Sequence, residues 1–254
     1  MIRRFGRARN RWAVVSAPKS LVVVLMAGLL AAPVARAGDV DCAVDRCVAL
    51  TFDDGPGLHT DRLLQVLTAA DAKATFFLVG EKVAADPSAA ARIAQAGMQI
   101  GNHTWSHPDL TTIPPAEVAT QLSRTTDAIA RATGVRPTLM RPGFGAVDDA
   151  VLTEAGRQGM AVINWDVVPY DWIHDTDLAA SRALLMEQVR PGSVVLLHDT
   201  FASTVDLVAQ FLPVLRANGY HLVTVSDLLG SRAPGSSYGG RDNGPAVNVL
   251  QDLP

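Results

Sequence analysis

Cysteine is scarce in this chain: among 254 residues there are only Cys42 and Cys47. No histidine flanks them and their spacing is wider than that of redox pairs, which argues against a metal or redox role. In an exported protein such a close pair reads as a short disulfide that pins the N-terminal segment to the first strand. A glycine-rich phosphate fingerprint is missing after the first strand-like run, which counts against a nucleotide-binding fold. Acidic residues are missing from the first 37 positions, which hold Arg3, Arg4, Arg7, Arg9, Arg11, Lys19 and Arg36. An apolar run follows at 21–33, and Ala35-Arg36-Ala37 closes the segment. That run is shorter than the roughly 20 residues needed to span a bilayer. A basic start, an apolar centre and a small-x-small end predict a cleaved secretory signal over residues 1–37.

Removing that segment takes seven of the 22 Lys+Arg and none of the 25 Asp+Glu. The remainder carries a net charge of about −10, which argues against nucleic acid or anionic membrane as a partner. A neutral or partly cationic polymer is easier to accommodate. The hydrophobic content of 48% is ample for a large core.

From Cys47 onward, short apolar runs alternate with amphipathic segments. Strands are expected at 48–52, 74–79, 98–101, 138–141, 161–165, 194–198 and 221–225. Helices are expected at 61–70, 84–96, 115–133, 149–158, 178–189 and 205–218. Gly97, Gly134, Gly159 and Gly219 follow helix ends, and Pro115 suits a first turn. Such alternation predicts an α/β fold with a parallel sheet under helical cover. Seven repeats over about 180 residues favour a (β/α) barrel, distorted and of seven to eight units, over an open doubly wound sheet. One catalytic domain is expected over 38–230. The Gly-, Ser-, Pro- and Asn-rich residues 231–254 are expected to form a flexible tail.

The unusual polar residues all end these apolar runs. The first run ends in Thr51–Pro56, TFDDGP. Adjacent strand residues point to opposite faces, so Asp53 and Asp54 cannot both decorate one surface. Either they lie solvated in an Asp-Gly turn, or they divide the work of metal ligand and base. After the third run, GNHTWSHPDL places His103 and His107 four apart, in reach of one ion or capping a loop. Two imidazoles and one carboxylate leave an open coordination position, the pattern of a catalytic zinc. The fourth run ends in RPGFG, where Arg141 is either a surface residue or the bidentate partner of a carboxylate. Gly143 there allows close backbone approach, so that an exposed N–H can meet an oxyanion. NWDVVPYDW follows the fifth run, with Trp165 expected in the core and Trp172 exposed. The sixth ends in LLHDT, where His198 either bonds backbone or is kept protonated by a carboxylate. In a parallel barrel these strand ends share one face, where such sites are built.

TFDDGP, HTWSH, RPGFG, the DYDW-like segment and LLHD occur in the order seen in polysaccharide deacetylases. The chain resembles that family, the NodB homology domain or carbohydrate esterase family 4, from about residue 44 to residue 229. The resemblance implies that Asp54, His103 and His107 hold a divalent metal, usually zinc, with cobalt or another divalent ion as substitutes. It implies Asp53 as the general base, Arg141 as its orienting partner, and the Phe144 backbone N–H as an oxyanion donor. It further implies His198 as the general acid held by Asp171, with Trp172 and Leu196 lining an acetyl pocket. Gly143 replaces a common Pro and Phe144 a common Tyr. Val168 and Pro169 replace a frequent Asp-Thr, which leaves Asp166 as a rival partner for His198. The implied activity is hydrolysis of N-acetyl groups on N-acetylglucosamine residues of peptidoglycan or a chitin-like polymer, by a secreted monomer. Three alternatives remain at this point: O-deacetylation of xylan, a non-catalytic glycan-binding module, and a barrel enzyme for phosphorylated metabolites. The last lacks a phosphate loop.

Overall fold

The computed structural model describes residues 40–240. The leader expected over 1–37 lies outside them. The first strand, β1 (Cys47–Gly55), is followed by α1 (Thr60–Ala69), β2 (Thr75–Leu78), α2 (Gly80–Ala85), α3 (Pro87–Gln95) and β3 (Gln99–Asn102). Then come α4 (Pro115–Thr133), β4 (Leu139–Met140), α5 (Asp149–Arg157), β5 (Ala161–Ile163) and α6 (Leu178–Gln188). The last part holds β6 (Val194–His198), α7 (Ala202–Ala217), β7 (His221–Leu222), α8 (Val225–Leu229) and β8 (Ser237–Tyr238).

Every strand pairing is parallel, in the order β6-β1-β2-β3-β4-β5-β8, with β7 also on β1. Among the described residues, an isolated parallel bridge from Val167 to Val195 links the segment after β5 to β6. The result is a distorted (β/α) barrel, as the alternation of apolar runs and helices implied. A disulfide joins Cys42 to Cys47 at the start of β1. No helix among the described residues is long and apolar enough to cross a membrane.

Strand parity sorts side chains into two layers. On β1, Val48, Leu50 and Phe52 point outward and pack with Leu63, Leu67, Phe76 and Val205 beneath the helices. Each such burial contributes about 1.5–3 kcal/mol. Ala49 points inward, among Phe77, Leu139, Ile163, Val194 and Leu196. Thr51 and Asp53 share Ala49's parity, and both are buried. The inward row of β1 therefore changes from apolar to polar as it approaches the site. Helix ends carry local signals: Asp148 and Asp177 cap the starts of α5 and α6, and Gly134 closes α4 at φ 76°.

Three sequence expectations need correction. The helix expected over 84–96 is broken in two at Asp86, which caps α3 by accepting from Ala89 N. Pro87 takes the first position of α3; it has no N–H to continue α2 but fits a helix start. The run at 221–225 is a strand only over β7, because Thr224 forms a capping box with Asp227 and starts α8. The expected tail does not begin at residue 231. Residues 231–240 include β8, which pairs Ser237 with Val162 and Tyr238 with Ile163, covering an edge of β5. Residues 241–254 lie outside the described residues.

Candidate active and metal site

β1 ends in an irregularity that resolves the puzzle of its paired acids. Its register with β2 shifts between Phe52 and Gly55, and Asp54 takes φ 68°. A left-handed residue at a strand end breaks the alternation of faces. Both carboxylates then line one cleft of about 440 Å³. Thr104, His107, Phe144 and Tyr170 also hold positive φ without being glycine, and all four lie on the loops that frame this cleft. Such backbone persists only where neighbours enforce it.

For the histidine loop, the enforcing neighbours are on β3 and α4. Asn102 Oδ1 accepts from Thr104 N at 2.8 Å, while its amide donates to Leu122 O. Gln121 Oε1 accepts from Trp105 N and Ser106 N at 2.7 and 3.0 Å. His107 N donates to Thr104 Oγ1. A Cβ added at Gly143 would fall 2.9 Å from Pro108 O and 3.2 Å from His107 Cε1. The close backbone approach expected of Gly143 is thus made against the imidazole of His107.

Asp54 Oδ1 lies 3.5 Å from His103 Nε2 and 3.6 Å from His107 Nε2. Tetrahedral zinc with bonds of about 2.0–2.1 Å sets its ligand atoms about 3.3 Å apart. The three ligand atoms all lie within 4.8 Å of one another, so the donor set fits a divalent ion. His103 Nδ1 donates to Arg141 O at 2.7 Å, which turns Nε2 toward Asp54. Burial alone would raise the Asp54 pKa. The His103 hydrogen bond and the charges of His103 and His107 outweigh it and hold the carboxyl well below the usual range. Burial, and then the neighbouring His103, lowers His107, favouring the neutral imidazole that a metal requires.

Asp53 is 3% exposed and Arg141 is fully buried. Arg141 Nη1 donates to Asp53 Oδ1 at 2.8 Å and to Thr51 Oγ1 at 2.7 Å. Its Nε and Nη2 donate to the carbonyls of Ile163 and Asn164, at 2.9 and 2.7 Å. The fork expected to grip a carboxylate with two parallel bonds spends only one nitrogen on Asp53 and uses the others to tie β1 to β5. The guanidinium also lies 4.2 Å over the Phe77 ring. Asp53 Oδ2 remains 3.6 Å from His103 Nε2, beside the metal-ligand set.

The second histidine site sits across the strand pair. β6 runs in register with β1 so that His198 is the partner of Asp53. His198 Nδ1 donates to Asp171 Oδ1 at 2.9 Å, and Asp171 Oδ2 accepts from His198 N and Thr204 Oγ1. Burial opposes a charge on His198. The Asp171 hydrogen bond and charge, with smaller contributions from Asp53 and Asp54, overcome it and raise the pKa to about 9. Asp166 is not the partner: it accepts from Val194 N at 2.7 Å and Ser193 Oγ at 3.2 Å, at the opposite end of β6.

Phe144 is 55% exposed at φ 59°, its ring edge-on to His107. No acceptor among the described residues meets its N–H. Leu196, Trp172, Trp165 and Phe201 complete the cleft wall. Trp172 is half-buried against the inner core, so the exposure expected of it is partial. Trp165 is in the core as expected and also lines the cleft. Asn102, Gln121, Thr204 and Phe201 escaped the sequence reading; Gln121 and Thr204 are lone polar residues on helices, which carry no local signal. Only the proximity of Phe201 to the LLHD motif pointed toward the site.

These distances can be set beside known proteins. A family model described as polysaccharide deacetylase matches residues 41–163. The peptidoglycan-N-acetylmuramic acid deacetylase PdaC of Bacillus subtilis is 37% identical over 184 residues, covering 72% of this chain and 38% of its own. The peptidoglycan-N-acetylglucosamine deacetylase PgdA of Listeria monocytogenes is 36% identical over 186 residues, covering 73% and 39%. The chain therefore spans about two fifths of the length of these two curated relatives. Other matches are named chitin and chitooligosaccharide deacetylases. A deacetylase solved with its substrate superposes with a TM-score of 0.74 at 38% identity, over 78% of this chain and 99% of that one. With this fold, this order of motifs and these relatives, the chain belongs to the polysaccharide deacetylase family.

Proposed function

We propose that this chain is an exported, zinc-dependent hydrolase that removes acetyl groups from N-acetylglucosamine residues of a polymer, with peptidoglycan or a chitin-like chain as substrate. The observation that carries this reading is the convergence of Asp54, His103 and His107 at ligand spacing, with Asp53 on one side and a carboxylate-held His198 on the other. The leader-like first 37 residues and the disulfide fit work outside the cytoplasm.

A divalent ion bound by the three ligands supplies Lewis acidity, making water nucleophilic near neutral pH and polarising the amide carbonyl. Asp53 accepts the proton from the attacking water, and Arg141 holds its carboxylate in place. The water oxygen bonds the acetyl carbon, and the Phe144 N–H meets the oxygen that gains charge. One such preset donor is worth on the order of 3 kcal/mol. An amine cannot leave as an anion, so His198 passes its Nε2 proton to the sugar nitrogen as the C–N bond breaks. Asp171 keeps that imidazole charged until then. Trp172 and Leu196 shape an apolar recess suited to the acetyl methyl group.

Acetate release from purified peptidoglycan and chitooligosaccharides, before and after chelation and zinc return, tests the reading. Release that chelation stops and zinc restores is expected. Release from acetylated xylan alone would move the assignment to an ester. No release from any of these polymers would leave a glycan-binding module.

A further inference from the structure

Asp199 has no part in the chemistry above, yet it is fully buried directly behind His198. Its carboxyl group backs onto Gly55, the residue after the ligand Asp54. A Cβ added at Gly55 would fall 2.5 Å from Asp199 Oδ2 and 2.6 Å from Oδ1. Thr60, at the start of α1, donates its hydroxyl to Asp199 Oδ2. The same hydroxyl accepts from Gly57 N at 2.8 Å. The turn that carries Asp54 is therefore seated on one side upon Asp199 and Thr60. On the other side Lys82 Nζ donates to Asp54 O at 2.7 Å. Among the described residues no donor meets Asp199 Oδ1. A half-satisfied buried carboxyl is a poor means of stabilising a fold, and an apolar residue would fill that space at less cost.

We propose that Asp199, acting through Thr60, is a positioning residue that sets the Asp54 turn against the end of β6 and so fixes the metal-ligand geometry. The proposal rests on the metal-dependent reading above. Burial pushes the Asp199 pKa up to about 7, against the pull of Thr60 and Lys82. What the geometry shows the turn using is an acceptor at this position for the Thr60 hydroxyl, which an amide oxygen also supplies.

Zinc affinity, measured by competition with a chelating dye on the folded full chain, provides the test, with far-UV circular dichroism as the check on folding. Thr60→Val and Asp199→Ala should weaken zinc binding about tenfold or more, the usual cost of losing a group that orients a metal ligand. Thr60→Ser and Asp199→Asn should bind within about threefold of the parent, since each restores the lost contact. A merely structural role would lower thermal stability and leave the affinity of the folded chain alone. Should Asp199→Ala not fold, the comparison of Thr60→Val with Thr60→Ser decides. Parent-like zinc affinity in folded Thr60→Val overturns the proposal while leaving the deacetylase reading intact. A parent protein that takes up no zinc overturns both.

Discussion

Arg141 Nη1 stands 2.8 Å from Asp53 Oδ1 inside the barrel, where neither side chain is more than 4% exposed. A charge pair so enclosed is stable only while both members are present. Burial pulls the Arg141 pKa down and the Asp53 charge pushes back. The pair therefore fixes the Asp53 carboxylate beside the candidate metal ligands.

Arg141→Ala should cost about 3–5 kcal/mol of folding stability, because it leaves Asp53 charged and unpaired and releases the tie between β1 and β5. Urea unfolding of the metal-free protein measures it. A loss below about 1 kcal/mol would mean that water enters to solvate Asp53.

Asp53→Asn and His198→Ala should each lower acetate release by about 100-fold or more. Neither supplies one of the three ligand atoms, so zinc should still bind both variants. Dye competition on the same preparations separates lost chemistry from lost metal. Unchanged turnover in either variant would remove that residue from the mechanism.

His198 makes stability depend on pH in a definite direction. Its pKa is 6.5 when free and about 9 in the folded chain. The stabilisation is fully present below about pH 6.5 and is lost as pH rises through about 9, on the order of 3 kcal/mol in the metal-free protein. The difference in unfolding free energy between the parent and Asp171→Asn should narrow over that interval. A difference that stays constant from pH 6 to pH 10 would show that Asp171 does not hold the proton on His198.

Gly143→Ala places a methyl group against Pro108 O and the His107 ring. The strain falls on one ligand, so zinc affinity should drop about tenfold with little change in the unfolding of the metal-free chain. Equal affinity would mean that the loop at 142–145 yields instead.

The barrel was legible because parallel strands buried on both faces read as continuous apolar runs, and the helices between them carry glycine, proline and aspartate stops. The candidate ligands were legible because they end those runs at one face. Less visible was how the site is held. Arg141 spends most of its donors on the carbonyls of Ile163 and Asn164, which no sequence pattern marks. Asn102 and Gln121 fasten the histidine loop to α4 through side-chain hydrogen bonds from otherwise ordinary positions. The choice of Asp171 over Asp166 depended on how the chain turns after β5, where Asp166 is taken up by the start of β6. β8 was hidden because its two residues pair with β5 from within a stretch whose composition is that of a linker.

Asp53 and His198 are opposite one another on neighbouring strands. The gap between the group that takes up a proton and the group that gives one away is thus ruled by the rungs of the backbone ladder, about 4.8 Å apart. The surrounding loops, with Phe144, Trp172 and Phe201, can be rebuilt to suit another glycan without retuning that interval.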